Sequence, residues 1–484
     1  MAGAPAGGAA SDAGSVLVID IGKSFAKVSR ADAAGRILDT RSAPNRVLPG
    51  PPWPHHDLRG LSDWVFGALA ELARGGGGGA ERVIATGHGS GGVLVGEDPD
   101  AEGTGAALPM IDYEAESPPA VDAAYARLAG GFPERGSAIM LRSAHQARQM
   151  LRAAMEAPAA FARAAHALAV APYWAWRLSG VAASEVTSLG AQSHLWDVAG
   201  RRWAPIVAAC GWQRLLPPMR PGWDDLGPLR PELARRHGLP GGLRVHLGAH
   251  DSSTAFYRYQ AGGFRGFTLV STGTWIVALS DSCPPERLDA ARGMTLNADM
   301  TGAPVGGCLA MGGREFALIA GPAGLAAAAG PEDVAAVVRA GTVAVPSFSA
   351  DSGLFPGSAG RGRIEGPAPA TPQGLRALAL LHGAMLTEAC AAALGGAGPL
   401  ILDGAFLADP LFAPLVAALV PERRVLASDE PHGVTAGAAL LAHHAGRTRP
   451  AELVLRPVAP ARVPGLADWA ELWRSRARAG GNAE

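Results

Sequence analysis

The sequence predicts an α/β protein built from two similar halves. Apolar runs of strand length alternate with apolar stripes at helical spacing through most of the chain, the grammar of layered α/β architecture. A strand–glycine turn–strand unit near the start returns in the second half. At 484 residues the chain exceeds what one core organises, so two or three domains are expected.

Ser15 to Ile19 (SVLVI) is an apolar run followed by Asp20-Ile21-Gly22-Lys23-Ser24 and then AKVSR, which reads as strand, glycine turn, strand. A third strand is expected from Ile37 to Ser42. Leu61, Trp64, Val65, Ala68, Leu69 and Leu72 form a stripe of helical period, so a helix is expected that stops at the glycine run 75–79. Arg82 to Thr86 and Leu243 to Leu247 read as strands. In the second half, Phe267 to Val270 is a strand, Ser271-Thr272-Gly273-Thr274 a turn, and Trp275 to Ser280 the returning strand. Aligning Gly22 with Gly273 sets Asp20 against Ser271 and Lys23 against Thr274. A helix (Leu375 to Leu394), a strand (Leu400 to Leu402), a loop Asp403-Gly404-Ala405-Phe406 and a helix from Pro410 follow. A strand (Val425 to Ala427) and a last helix (Val434 to His444) close the pattern.

Composition excludes several classes of function. Lys and Arg total 42 against 43 Asp and Glu, a net charge of −1 that offers no footprint for nucleic acid. Hydrophobic residues at 48% with charged residues at 18% describe a globular chain. Cys210, Cys283, Cys308 and Cys390 are scattered with no CxxC, which points to a reducing, cytoplasmic setting. Residues 1–13 carry no basic start and no apolar segment, so they read as a disordered tail. Charges and prolines interrupt the greasy region from Ala384 to Val420, so no membrane span is expected. Lysine occurs only at Lys23 and Lys27, where every other basic residue is arginine. Codon usage in a GC-rich genome accounts for the scarcity itself, but not for both lysines lying within five residues; an ammonium and a guanidinium are not interchangeable in a tight space, which singles out that segment.

Some motifs mislead. Gly22-Lys23-Ser24 resembles the end of a Walker A loop, but Leu17 stands where that loop needs glycine and a strand follows. Gly87-His88-Gly89-Ser90-Gly91-Gly92 satisfies G-x-G-x-x-G, yet VLVGED after it reads as strand, not helix. Ser90 misses a nucleophile elbow because His88 occupies the first glycine position. His55-His56 and His443-His444 are adjacent in sequence and point to different faces, so solvated histidines are expected there rather than a metal clamp.

Two features carry chemistry. The paired glycine turns offer backbone N–H groups and Ser or Thr hydroxyls to a chain of phosphates, although such turns also occur in any β-rich protein. Gly248-Ala249-His250-Asp251 follows a strand near the middle of the chain, where Asp251 reads either as a general base or as a helix N-cap.

Together these segments resemble the FGGY carbohydrate kinases of the actin–hexokinase–Hsp70 superfamily. The family's D-x-G-x-[ST]-x-x-[KR] is present as Asp20 to Lys27, its G-x-x-D as Gly248 to Asp251, its second phosphate turn as Ser271 to Trp275, and its adenosine segment as Asp403 to Leu411. His250-Asp251, Ser271 to Trp275 and Tyr173 to Gly180 are most similar to the rhamnulose and fuculose kinases. Four positions depart from the family: Ala405 replaces glycine, Asp409 replaces asparagine, and Gln149 and Arg152 stand where K-x-x-W is usual.

The resemblance implies an α/β fold of two actin/ribonuclease H-like domains facing a central ATP and sugar cleft. The N-terminal domain would span 14–247, the C-terminal domain 248–462, and a tail or helix 463–484. It implies ATP-dependent phosphorylation of a ketose of L-rhamnulose or L-fuculose type at a primary hydroxyl, with Asp251 as general base and Asp20 holding Mg²⁺. Gly22, Lys23, Ser24, Lys27, Ser271, Thr272, Gly273, Thr274, Gly404, Ala405 and Asp409 would contact ATP. His88, Gln149, His250 and Asp251 would contact the sugar, although each of the first three also reads as a structural polar residue. The implied partner is a small-molecule sugar, with no nucleic acid and no membrane, and a homodimer is left open. Xylulose, ribulose or a polyol remain alternative acceptors, and a non-catalytic sugar-binding regulator is the rival from another class.

Overall fold

The computed structural model describes residues 14–75, 79–140, 142–350 and 353–481; the expected tail over residues 1–13 lies outside the described residues. The first sheet comprises β1 (Val16–Ile21), β2 (Phe25–Ala31), β3 (Ile37–Pro44), β4 (Arg82–Gly87), β5 (Asp225–Pro228) and β6 (Arg244–His250). Its spatial order is β5-β6-β4-β1-β2-β3, with β6, β4 and β1 parallel and their outer neighbours antiparallel.

The second sheet comprises β7 (Thr268–Thr272), β8 (Ile276–Ser280), β9 (Met294–Ala298), β10 (Pro304–Ala310), β11 (Leu400–Gly404), β12 (Val425–Ser428) and β13 (Leu455–Pro457). Its order is β9-β10-β8-β7-β11-β12-β13, again with three parallel strands (β7, β11, β12) beside an antiparallel meander. Superposing the two orders sets β1 on β7, β2 on β8, β4 on β11 and β6 on β12. The weak repeat in the sequence is thus a repeat of topology.

Helices cover both faces. In β1 Val16, Leu17, Val18 and Ile19 are all 0% exposed, an unbroken apolar run because helices lie on either side. Leu17 and Ile19 pack with Val65 and Leu69 of α1 (Leu58–Ala73). The opposite face, Val16 and Val18, meets Ala438, Leu440 and Leu441 from the second half of the chain. After β6 comes α2 (Asp251–Ala261), and the equivalent helix after β12 is α3 (Gly433–Ala442). These two helices cross in backbone contact: a Cβ on Gly437 would lie 1.9 Å from the Thr254 carbonyl oxygen.

Two further helices fill the second core. Pro372–Leu394 is long and apolar enough by composition to cross a membrane, but 89% of that window is buried within the protein. The C-terminal helix Leu466–Gly481, expected as a tail or helix, is anchored: Trp469 and Trp473 donate from Nε1 to the carbonyls of Thr342 (2.8 Å) and Ala344 (2.7 Å).

The histidine pairs differ from expectation. His56 is 2% exposed, packed inside against His88 rather than solvated. His444 stacks on Trp223 with ring centroids 4.1 Å apart and is half-buried. Each ring is an apolar body with polar tips, and here packing claims the body. No cluster of three or more metal-ligating side chains occurs among the described residues. All four cysteines are free.

Candidate functional site

The first glycine turn is a tight hairpin tip between β1 and β2. Gly22 N donates to Phe25 O (3.0 Å), and Asn45, just beyond β3, braces the turn through Nδ2 to Gly22 O (2.8 Å) and N to Ser24 O (2.9 Å). Ser24 is exposed at the tip. Asp20, near the end of β1, is the cross-strand partner of Lys27. Thr435 of α3 lies against it, Oγ1 to Oδ2 at 3.5 Å. Burial, and then the charge of Asp251, push the Asp20 carboxyl up to about 6, against the opposing pull of Lys27 and Thr435.

Asp251 is the first residue of α2, with His250 in the N-cap position, so it is not the cap itself. Its carboxylate sits at the positive end of the helix and is 25% exposed toward the cleft. His250 Nε2 lies 3.1 Å from Asp251 Oδ1, and His250 Nδ1 lies 3.1 Å from Ser253 Oγ. Burial lowers the His250 pKa, which favours a neutral ring donating to Asp251 and accepting from Ser253. Gly248 is required by the backbone itself. Its φ is +83° and a Cβ would lie 2.0 Å from Ala85 O, so only glycine lets β6 run this close to β4.

The second turn connects β7 and β8. Gly273 N donates to Trp275 O (2.9 Å), and Gly313 N, at the start of the next helix, to Thr274 O (3.2 Å). Thr274 is exposed at the tip. Ser271 and Thr272 pair with Asp403 and Gly404 of β11, which brings the expected adenosine segment beside the turn. The Thr272 hydroxyl is occupied, donating to Asp403 O (2.8 Å) and accepting from Phe406 N (3.1 Å). Gly404 and Ala405 are exposed. Asp409 is held by Arg376, with Nη2 at 2.8 Å and Nε at 3.0 Å from Oδ2. Its carboxylate therefore serves an ion pair within its own domain.

Lys23 departs from the expected nucleotide-facing position. Its Nζ is 2.7 Å from Asp112 Oδ1 and 3.6 Å from Glu114 Oε2, and 5.5 Å from the Tyr113 ring centroid. The two carboxylates draw the ammonium away from the phosphate turn and toward His88. Of the lysine pair, only Lys27 faces Asp20. His88 is 8% exposed; its Nδ1 lies 2.9 Å from Gly89 O, while its buried Nε2 has no hydrogen-bond partner. Asp251 and Lys23 both act electrostatically on the His88 ring, which burial biases to the neutral form. Gln149 is a brace under this floor, bonded through Nε2 to Ser90 O (3.2 Å) and Ser143 O (2.9 Å).

Asn45, His56, Asp112, Tyr113 and Thr435 complete the surroundings; His56 stands out in the sequence only as half of a histidine pair, and the others carry no sequence signal of their own. They lie in stretches without periodicity or, for Thr435, inside an apolar helix. Pairing of the segment around His56 with that around Ile111, through His56 N to Met110 O and Asp112 N to Pro54 O (both 3.0 Å), and the crossing of α2 with α3 assemble them.

The site therefore defines a class: two glycine turns on equivalent strands of two equivalent sheets, facing a pair of carboxylates. Residues 137–257 match the family model "FGGY family of carbohydrate kinases, N-terminal domain", and residues 264–450 match "Carbohydrate kinase FGGY, C-terminal domain". The chain belongs to the FGGY family of carbohydrate kinases. Among solved structures it is similar to a carbohydrate kinase from Novosphingobium aromaticivorans, with 28% identity and TM-score 0.82 over 95% of this chain and 100% of that one. It shares its fold with the gluconate kinase of Lactobacillus acidophilus, at 15% identity and TM-score 0.80 over 97% of this chain and 98% of that one. A curated L-fuculokinase from Salmonella typhi is 34% identical over 105 residues, a segment covering 21% of this chain and 22% of that enzyme. Asp20 to Lys27 lie outside both matched family spans, so that turn rests on its geometry.

Proposed function

We propose that this protein transfers the γ-phosphoryl group of ATP to a hydroxyl of a ketose. The observation that carries the reading is the approach of Asp251 and Asp20 at the junction of two glycine turns from separate sheets. Phosphoryl transfer asks for positioning, charge neutralisation and one group to receive the acceptor's proton. Asp251 is that group: partly open to the cleft and held by His250. Ser24 from one side, and Thr274 and Ser271 from the other, would offer hydroxyls to the phosphates, while Gly22 and Gly273, whose N–H groups close the turns, would keep those tips open for close approach; Gly404 and Ala405 lie where the nucleoside would run. Lys27 reaches the same end through Asp20.

Asp20 and Asp251 destabilise each other as anions, and a divalent cation with oxygen ligands relieves that repulsion. With only two carboxylates present, the site fits Mg²⁺ held largely by water and phosphate oxygens, where it would neutralise charge on the phosphates. The orphaned Nε2 of His88, with His250 nearby, is positioned to bond sugar hydroxyls. Gln149 would support this floor indirectly, and Thr272 and Asp409 would shape the nucleotide loop rather than contact it.

The two domains would be 14–247 and 248–462, a boundary that falls inside β6 of the first sheet, with the C-terminal helix packed on the second. Four free cysteines fit a reducing compartment. The match to an L-fuculokinase segment and the His250-Asp251 pair favour L-fuculose or L-rhamnulose as acceptor, ahead of xylulose, ribulose or a polyol. A coupled assay of ADP release tests this across L-fuculose, L-rhamnulose, D-xylulose, D-ribulose and glycerol. Turnover dependent on a ketulose is expected. Faster turnover with glycerol would overturn the acceptor, and sugar binding without ADP release from any acceptor would overturn the enzyme.

A further inference from the structure

α2 and α3 start beside the two carboxylates and end together on the far side of the molecule. α2 has 11 residues, so at about 1.5 Å per residue its far end is roughly 16 Å from Asp251. Between the two ends lies a cleft of about 480 Å³, the size that takes a small organic ligand.

Three guanidinium groups line it: Arg265, Arg447 and Arg449. None of the three has a carboxylate within ion-pair distance among the described residues, whereas arginines such as Arg220 and Arg376 are paired with Asp224 and Asp409. Asp299 is the one carboxylate in the wall. Its oxygens are occupied by neutral donors, Oδ1 accepting from Thr301 N (2.8 Å) and Ala303 N (3.0 Å), and Oδ2 from Gln260 Nε2 of α2 (3.2 Å), so positive charge remains in excess in the wall.

Two of the three guanidinium groups are also pre-positioned. Arg447 donates from Nη1 to Tyr257 Oη (2.8 Å) and from Nη2 to the Leu440 carbonyl. Tyr257 Oη lies 2.6 Å from His444 Nδ1, whose ring stacks on Trp223. Arg265 is tethered by Nη1 to Gln260 O and Phe264 O, which leaves its other edge available. An excess of positive charge inside a concave wall concentrates anions, and guanidinium edges match phosphate oxygens in pairs.

We infer that this cleft is a second ligand site, separate from the proposed catalytic cleft, that binds a small phosphate-bearing anion through Arg265, Arg447 and Arg449. The shared chemistry is a phosphoryl group, from inorganic phosphate or from a sugar phosphomonoester.

Calorimetric titration of the full-length protein with inorganic phosphate, and separately with D-fructose 1-phosphate, tests it. Arg265→Gln, Arg449→Glu and their double variant are compared with the unaltered protein, with thermal stability and kcat as controls. Neither residue belongs to the proposed catalytic site, so both controls are expected to hold. The double variant is expected to weaken binding at least tenfold. Loss with both probes assigns the site to the phosphoryl group alone, and loss confined to fructose 1-phosphate assigns it to the organic phosphate. Superposable titrations of all proteins, or no binding by the unaltered protein at millimolar probe, overturn the inference. If the double variant fails to fold, the single exposed substitution Arg449→Glu decides by the same criterion.

Discussion

Asp251 and Asp20 lie at the ends of two strands of the first sheet, β6 and β1, and the charge of Asp251 bears on Asp20, which makes the pair the most testable residue chemistry. Asp251→Asn keeps the shape of the helix start and removes the proton acceptor. We expect kcat to fall by about 10²–10⁴, with ATP affinity within a few-fold, as read by steady-state kinetics and nucleotide titration. Near-normal turnover would leave Asp251 a purely structural first-turn carboxylate. Asp20 titrates near 6 in the folded protein against 3.8 as an ordinary carboxyl. An acid with a raised pKa binds its proton more tightly in the native state. Its contribution to stability is therefore greatest below 3.8 and is lost as pH rises through 6. Activity runs the other way, because a protonated Asp20 cannot hold a cation. The acid limb of kcat/KM is expected near pH 6 and should move to lower pH as Mg²⁺ is raised, since proton and cation compete. A limb indifferent to Mg²⁺ would have another origin. Lys23 pairs with Asp112 and its charge bears on His88, the residue proposed to meet the acceptor. Lys23→Met should raise the sugar KM by about tenfold, the scale of one charge-assisted hydrogen bond, and leave the ATP KM unchanged. A change confined to ATP would return Lys23 to the phosphate turn.

At the scale of elements, the site depends on strands and helices approaching closer than side chains allow. β6 must bend against β4 to aim Asp251, and its register shifts between His246 and Ala249. Gly248→Ala would add a Cβ 2.0 Å from Ala85 O at a φ of +83°. We expect a loss of about 3 kcal/mol or more, seen as a lower denaturation midpoint, together with reduced kcat because Asp251 moves with the strand. Unchanged stability would mean the strand absorbs the atom by shifting. The expected elements lie close to those observed: the run from Ser15 to Ile19 is the strand Val16–Ile21, and the helix expected from Leu375 is Pro372–Leu394. Strands buried on both faces and helices with a wide apolar stripe announce themselves by periodicity.

At the scale of the molecule, the two halves are not independent cores. α3 comes from the second half yet covers β1 and β4 of the first sheet, with Ala438, Ala439 and Leu441 at 0% exposure. Opening the halves completely would strip both partners, so unfolding is expected as one cooperative transition in calorimetry. Two resolved transitions would show that the shared interface is not held in common. The same crossing carries Thr435 to Asp20 and sets the start of each helix beside the carboxylates.

The sequence by itself determined the repeated strand–turn–strand units, the alternation of layers, and the candidates Asp20, Asp251 and the two glycine turns. The elements and turns are local facts, set by apolar periodicity and by glycine where a backbone must approach, whereas Asp20 and Asp251 became candidates through the motifs that resemble the family. Only the tertiary structure decided which candidates meet. It turned Lys23 to Asp112, spent the amide of Gln149 and the carboxylate of Asp409 on internal bonds, and buried His56 beside His88. It also gathered Arg265, Arg447 and Arg449, up to 184 positions apart in the chain, around one cleft. A side chain's direction and its unpaired charge depend on elements distant in sequence, and no local pattern encodes which carboxylate reaches which cation first.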